Sequence, residues 1–280
     1  MKRRVINEKP LSKLSGSLLL VGAGKMGSAM LDGWLVRGLA PKQIAIIEPQ
    51  PGKSVKALTR RGVKLNPKGK VAAAVAIVIA VKPQTAPEAV PPLGAYVGKS
   101  TLVLSIMAGR TIGSLQKALP PGSAIVRAMP NTPAAIGRGI SVAVANSEVS
   151  ARQRKLATDL LAAIGKVEWI RDEALIDAVT ALSGSGPAYV FLLAEAMTKA
   201  GIAAGLPAEL AGRLARETVA GSGELLHRSA LDAATLWQNV TSPGGTTAAA
   251  LEVLMGPGGF DELLTEAIAA ATERSRELAG

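Results

Sequence analysis

Three glycines in the stretch Leu18-Leu19-Leu20-Val21-Gly22-Ala23-Gly24-Lys25-Met26-Gly27-Ser28-Ala29-Met30 constrain this chain more than any other feature. An apolar run leads into them and helix-forming residues follow, which predicts a strand, a tight turn and a helix start. Gly22 permits the turn, Gly24 lets a diphosphate approach the backbone, and Gly27 allows helix and strand to pack closely. The N–H groups of the helix's first turn then face the anion. A glycine-rich turn without a ligand shares this spacing. The context favours a dinucleotide: a second strand, Gln43 to Ile47, ends in Glu48, and an acid roughly 20 residues beyond such a loop can accept from a ribose hydroxyl.

Composition narrows the chemistry. With 48% hydrophobic residues but only 2% aromatics, the core must be built from Ala, Leu, Val and Ile. The absence of cysteine excludes disulfides and thiolate chemistry and suits a reducing cytoplasm. The one histidine, His227, argues against a metal site and reads as a surface residue near a helix end. A net charge of +11 raises the question of nucleic acid, but the cations are dispersed, and Lys2-Arg3-Arg4 and the Arg60-Arg61, Lys64, Lys68, Lys70 group read as solvated surface. Such a field also draws in anionic ligands. The longest apolar run, Val71 to Val81, is shorter than the ~20 residues of a membrane span. Met1 to Ser17 starts basic without a cleavable apolar region and reads as a flexible extension.

After the loop, Ser28 to Arg37 reads as a helix stopped by Gly38 and Pro41. Strand two runs into Pro49-Gln50-Pro51-Gly52, where NAD and NADP are told apart: Glu48 repels a 2′-phosphate, whereas Lys53 and Ser54 attract one. The signal is divided. A helix over about Ser54 to Arg61 and a short strand at Val63 to Leu65 follow, then a continuous apolar strand, Val75 to Val81, of the kind buried on both faces of a parallel sheet. That strand ends at Lys82-Pro83-Gln84, on the carboxyl edge where such sheets bind ligands. Further strands are expected at Thr101 to Ile106, Ala124 to Arg127, Ile140 to Ala145 and Val167 to Ile170, with helices at Ile112 to Ala118 and Ser150 to Ile164. Between them, Met129-Pro130-Asn131-Thr132-Pro133 is a stiff loop, read equally as a mount presenting Asn131 and Thr132 to a ligand or as a structural turn.

Past Asp172 the pattern turns wholly helical, with segments at Ala188 to Ala200, Pro207 to Leu226, Ala233 to Gln238, Thr246 to Met255 and Asp261 to Leu278. Ser185-Gly186-Pro187 reads as a cap and N1 proline for the first. Apolar residues surround several of these helices, and an intertwined dimer is the simplest way to bury them. Within this half, Thr241-Ser242-Pro243-Gly244-Gly245-Thr246-Thr247 fronts a helix start with paired glycines and hydroxyls and no acid before Glu252. An ordinary capped helix would show hydroxyls too; the two glycines tilt the reading toward a carboxylate site.

These residues carry a family resemblance. The glycine loop, Ala80-Val81-Lys82-Pro83-Gln84, Met129 to Pro133, Leu182-Ser183-Gly184-Ser185-Gly186-Pro187-Ala188-Tyr189-Val190 and Thr241 to Thr247 resemble, in order, the motifs of pyrroline-5-carboxylate reductases. The resemblance implies an α/β Rossmann-like N-terminal domain and an all-α C-terminal dimerisation domain. It divides the chain into a flexible basic extension (1–16), an NAD(P)-binding domain (17–172) and a substrate-binding and dimerisation domain (173–280). It implies reduction of (S)-1-pyrroline-5-carboxylate to L-proline with NADPH or NADH in the cytoplasm, by a homodimer or larger homo-oligomer whose active sites lie where the two domains join, with neither nucleic acid nor membrane as partner. Gly22, Ala23, Gly24, Lys25, Met26, Gly27, Glu48, Pro49, Lys53, Ala80, Val81, Lys82, Pro83, Ala108 and Asn131 are then expected at the cofactor. Ser242, Gly244, Gly245, Thr246, Thr247 and Lys82 are expected at the substrate, with the Thr247 hydroxyl on the ring nitrogen as the catalytic group. Two departures stand out: Gly69 replaces an Asn of many relatives that contacts adenosine, and Ala230 falls where some carry a Glu. The rival readings are another imine or β-hydroxyacid reductase, which would need a lysine base such as Lys199, and a dinucleotide sensor without catalysis.

Overall fold

The computed structural model describes residues 9–67 and 74–279. Lys2-Arg3-Arg4, Lys68, Gly69, Lys70 and the Val71 end of the apolar run lie outside the described residues. The described residues form two compact units, one reaching to Gly184 and taking in the chain again from Thr272, the other Ser185–Ala271.

The first unit is built on eight strands: β1 (Leu18–Val21), β2 (Ile44–Ile47), β3 (Lys64–Leu65), β4 (Ala76–Ile79), β5 (Leu102–Ser105), β6 (Ala124–Met129), β7 (Gly139–Ala145) and β8 (Gly165–Trp169). They lie side by side in the order β3-β2-β1-β4-β5-β6-β7-β8. All neighbours are parallel except β6 and β7. Every residue of β1, β4 and β5 is buried, and apart from Ser105 at the end of β5 these four-residue runs are apolar rather than alternating. Six helices accompany them: α1 (Lys25–Val36), α2 (Lys53–Leu58), α3 (Ala86–Ala89), α4 (Ile112–Ala118), α5 (Ala151–Leu161) and α6 (Ile176–Val179). Met30, Leu31 and Trp34 of α1 and Leu160 and Leu161 of α5 pack on one face of the sheet, while Ile112 and Leu115 of α4 pack on the other. The Trp34 Nε1–H donates to the Leu160 carbonyl at 3.0 Å, fixing α1 against α5.

Several expectations need correction. The described part of the supposed extension is packed: Leu11 is 1% exposed, its N–H donates to the Arg37 carbonyl, and Gln43 Nε2 donates to the carbonyls of Leu14 and Gly16. The Leu11 side chain gains more from the core than it loses in chain freedom. The first helix starts at Lys25 rather than Ser28. Ser185 makes no side-chain cap, because a single π turn, Thr180–Gly184, leads directly into the next helix and leaves no free first turn to cap. The compact first unit includes the residues up to Gly184. Ile176 is fully buried under the sheet, and Asp177 Oδ1 accepts from Ser275 Oγ at 2.7 Å, which ties in the end of the chain.

That continuation is anchored by Arg127. Its side chain is 3% exposed on β6, and Nη1 meets Glu173 Oε1 at 2.8 Å. The same carboxylate oxygen accepts the Ile112 N–H at 2.8 Å, at the start of α4. Nε and Nη2 of Arg127 are buried without a hydrogen-bond partner among the described residues, so Glu173 carries the whole task of compensating this charge.

The second unit contains α7 (Gly186–Ala203), α8 (Ala208–Arg228), α9 (Ala233–Asn239), α10 (Thr246–Leu254) and the greater part of α11 (Phe260–Ala279). Asp232 caps α9 by accepting the Thr235 N–H at 2.7 Å, and that backbone bond holds its carboxyl below the usual range. Of the large side chains on α7, Phe191 is 68% and Leu192 62% exposed, so one chain does not close this unit's core. The helical stretch 173–203 is 31 residues long and, by length and composition alone, apolar enough to cross a membrane. Asp177, Glu195 and Lys199 fall within it.

Replacing Glu173 by Ala strands the Arg127 charge. The variant is expected to lose about 2–3 kcal/mol in urea unfolding, toward the lower end for buried pairs because Glu173 is partly exposed. A loss under about 0.5 kcal/mol, the size of an ordinary surface change, would contradict the role given to this pair.

Candidate functional site: a glycine cradle and an uncapped helix

At the carboxyl end of β1 the backbone turns at Gly22, with φ of +91°. A Cβ there would lie 2.7 Å from the Ala80 carbonyl oxygen, and one on Gly27 would lie 2.3 Å from the Gly22 oxygen. Both glycines are demanded by the protein itself. Gly24 differs: a Cβ there meets nothing within 4 Å, so the fold itself does not demand a glycine at this position. Gly24 is the N-cap of α1 and offers no side-chain cap, leaving the first-turn N–H groups uncapped by any side chain. Lys25, Met26 and Gly27 form that first turn. Ser28 Oγ donates to the Ala23 carbonyl at 2.8 Å and steadies the loop from inside.

Glu48, one residue beyond β2, is braced from several directions. Its Oε2 accepts the Ala23 N–H at 2.8 Å and its Oε1 the Gln50 N–H at 2.9 Å. Asn66 clamps the Glu48 backbone, accepting its N–H at Oδ1 and donating Nδ2 to its carbonyl, both at 2.9 Å. Asn66 does so from φ of +45°, a left-handed conformation that Asn tolerates.

The β4 edge closes the floor. The Ala80 N–H donates to Val21 at 2.7 Å, and Arg110 donates from Nε and Nη2 to the Pro83 carbonyl at 3.2 and 3.0 Å. Lys82 is exposed there, and Ala108 is exposed beyond β5. Asn131 uses its Oδ1 to accept the Ile140 N–H at 2.9 Å, so it serves the rigid turn while its amide NH2 makes no further bond within the described chain.

An open cavity of about 820 Å³ brings together Gly22, Gly24, Glu48, Pro49, Ala80, Val81 and Lys82. Ala23, Lys25, Met26, Gly27, Lys53, Pro83, Ala108 and Asn131 do not border it. Its other wall, Leu93 to Tyr96 in the 3-10 run Pro91–Tyr96, was not foreseen, because Pro91-Pro92 and Gly94 break any helical or strand period. Arg110 and Asn66 also went unnoticed; their roles lie in backbone contacts across 27 and 18 residues, which no local pattern signals. A second hollow of about 590 Å³ lies before β4 and β5, beside Val75, Ser100 and Arg152, and borders none of the expected site residues.

In the helical unit, Gly244 turns with φ of +68° and the Gly245 N–H donates to the Ser242 carbonyl at 3.0 Å. Gly245 is the N-cap of α10 and makes no side-chain cap, so the first-turn N–H groups stand free of one here too. Thr241 spends its hydroxyl on the Trp237 carbonyl at 2.7 Å, whereas Ser242, Thr246 and Thr247 donate theirs to nothing among the described residues. His227 is exposed in the last turn of α8, as expected.

Two glycine substitutions separate the ligand's demand from the fold's. Gly24→Ala is expected to unfold within about 0.5 kcal/mol of the parent while dinucleotide affinity drops about tenfold, or ~1.4 kcal/mol. Gly27→Ala is expected to lose about 2 kcal/mol or more of stability, from the clash with Gly22. Equal behaviour of the two in calorimetry would contradict the assignment.

Comparison with known proteins bears on the same residues. Residues 17–109 match the family model described as NADP oxidoreductase, coenzyme F420-dependent, and residues 173–278 match that described as pyrroline-5-carboxylate reductase dimerisation. The pyrroline-5-carboxylate reductase of Pseudomonas aeruginosa is 40% identical over 265 residues, spanning 94% of this chain and 96% of the relative. The structure of a pyrroline-5-carboxylate reductase from Coxiella burnetii superposes with a TM-score of 0.87 at 33% identity, covering 95% of this chain and all (100%) of that one. That of Plasmodium falciparum pyrroline carboxylate reductase, with NADP bound, gives 0.78 at 30% identity and covers 95% and 99%. With near-complete coverage in both directions, the chain belongs to the pyrroline-5-carboxylate reductase family.

Proposed function

We propose that this protein reduces (S)-1-pyrroline-5-carboxylate to L-proline with NADPH or NADH, the last step of proline synthesis, as a cytoplasmic homodimer. The observation that carries the reading is similarity along almost the whole length to reductases of that name. The reduced nicotinamide supplies hydride to the carbon of the C=N bond.

The chain's own part is to hold and orient. The loop Gly22, Ala23, Gly24, Lys25, Met26 and Gly27 takes the diphosphate, and Gly24 is the position where that approach needs room. Glu48, Pro49 and Lys53 serve the adenosine ribose. Ala80, Val81, Lys82 and Pro83, with Ala108 and Asn131, serve the nicotinamide end. Ser242, Gly244, Gly245, Thr246 and Thr247 hold the substrate carboxylate at the uncapped start of α10. Lys82 adds a favourable field for that carboxylate. The Thr247 hydroxyl bonds the ring nitrogen, whose proton comes from solvent directly or through that hydroxyl. Residues 173–280 act as the substrate-binding and dimerisation part, a partner chain covering apolar side chains such as Phe191. The hydroxyacid alternative needs a lysine base, but Lys199 Nζ sits 2.6 Å from Glu195 on an exposed helix face. The hydrogen bond and charge of Lys199 hold the Glu195 carboxyl below its ordinary value, so the pair is a charged i,i+4 contact.

Adding pyrroline-5-carboxylate to enzyme and reduced cofactor should oxidise the cofactor steadily and yield proline; cofactor binding without turnover would favour a sensor instead. Thr247→Ala is expected to lower kcat roughly a hundredfold at similar cofactor affinity, with Thr247→Ser retaining much of the rate. Equal kcat in the Ala variant would remove Thr247 from the chemistry. Sedimentation at micromolar concentration should give two or more chains per particle, and a monomer would refute the partner-covered face.

A further inference from the structure

A pyridine dinucleotide with and without a 2′-phosphate differs at one place, the adenosine ribose, and the structure assigns that discrimination to a single pinned charge. We infer that Glu48 makes this reductase select NADH over NADPH. The inference rests on the dinucleotide-binding reading of the glycine cradle and deepens it.

The carboxylate does not swing freely at the rim. Oε2 is tied to the Ala23 N–H, inside the glycine loop, and Oε1 to the Gln50 N–H. Asn66 locks the Glu48 backbone through its N–H and its carbonyl. Two backbone N–H groups therefore hold the charge while Asn66 holds the backbone that carries it, and Glu48 borders the cavity that contains Gly22 and Gly24. To rotate away from an incoming 2′-phosphate, the side chain must give up two backbone hydrogen bonds. Such N–H···carboxylate bonds are among the stronger ones in proteins. No ion pair neutralises Glu48 among the described residues.

Lys53 opens α2, is exposed, and does not border the cavity. A dianionic phosphate next to a carboxylate that no described cation pairs is repelled, whereas a ribose diol donates to the same oxygens, which keep lone pairs beyond those used by Ala23 and Gln50. The bond from Glu48 to Ala23 adds a second effect: moving the acid aside also disturbs the loop that holds the diphosphate.

The test is the ratio of dissociation constants for NADPH and NADH, read from cofactor fluorescence without substrate, at low and high salt. The parent protein is expected to bind NADH at least about tenfold more tightly, a difference of ~1.4 kcal/mol. The ratio should narrow in high salt, because screening weakens repulsion between charges at a solvent-open rim. Glu48→Gln, which keeps an acceptor and drops the charge, should bring the ratio close to one. Equal or tighter binding of NADPH by the parent overturns the inference while leaving the reductase reading intact. So does a folded Glu48→Gln protein with an unchanged ratio. If that variant does not fold, the parent's salt series decides: a ratio indifferent to salt overturns the charge as the cause. Binding of neither nucleotide overturns the cradle and the inference together.

Discussion

The Gly22 carbonyl oxygen occupies the space that a side chain on Gly27 would need, and this backbone approach between the end of a buried strand and the first turn of a helix underlies the N-terminal unit. It brings α1 down onto β1 so that its uncapped N–H groups open at the carboxyl edge of the sheet. It also leaves Gly22 against Ala80, so the turn and the β4 edge form one surface. The buried side chains of β1, β4 and β5 anchor that edge in the core.

Around this contact the polar bonds serve mainly to fix backbone. Arg110 ties the Pro83 carbonyl, Asn66 the Glu48 backbone, Asn131 the Ile140 N–H and Glu173 the start of α4. Such an arrangement suits a reaction in which the bound nicotinamide carries the chemistry and the protein contributes orientation and fixed partial charge. The two uncapped helix starts, at Gly24 and at Gly245, are the same physical device on two units. On the function proposed above, one would take a diphosphate and the other a carboxylate, through backbone N–H groups alone.

Much of this was readable in the residues before any coordinates. All eight strands, the helix Ile112–Ala118 and the shift to helices past Asp172 follow from apolar runs and glycine or proline punctuation, with ends displaced by a few residues. The glycine loop and the Ser242 to Thr247 segment were legible because their demands are local: a turn, a missing Cβ, a helix start. What stayed hidden depends on distant partners. Leu11 looked like part of a loose extension, since nothing nearby in sequence shows the core it enters. Ser185 looked like a cap because a π turn leading into a helix has no signature in residue spacing. The divided message of Glu48 and Lys53 could not be weighed until Ala23, Gln50 and Asn66 were seen to hold the acid in place.

The reduction turns on hydride passing directly from the reduced nicotinamide to the carbon of the C=N bond. Its most direct test follows the transferred hydrogen, using cofactor deuterated at the transferable position of the nicotinamide and locating the label in the product by NMR. The expected product is proline carrying one deuterium on the carbon that had been doubly bonded to nitrogen. Proline without label, or label exchanged into water, would contradict it.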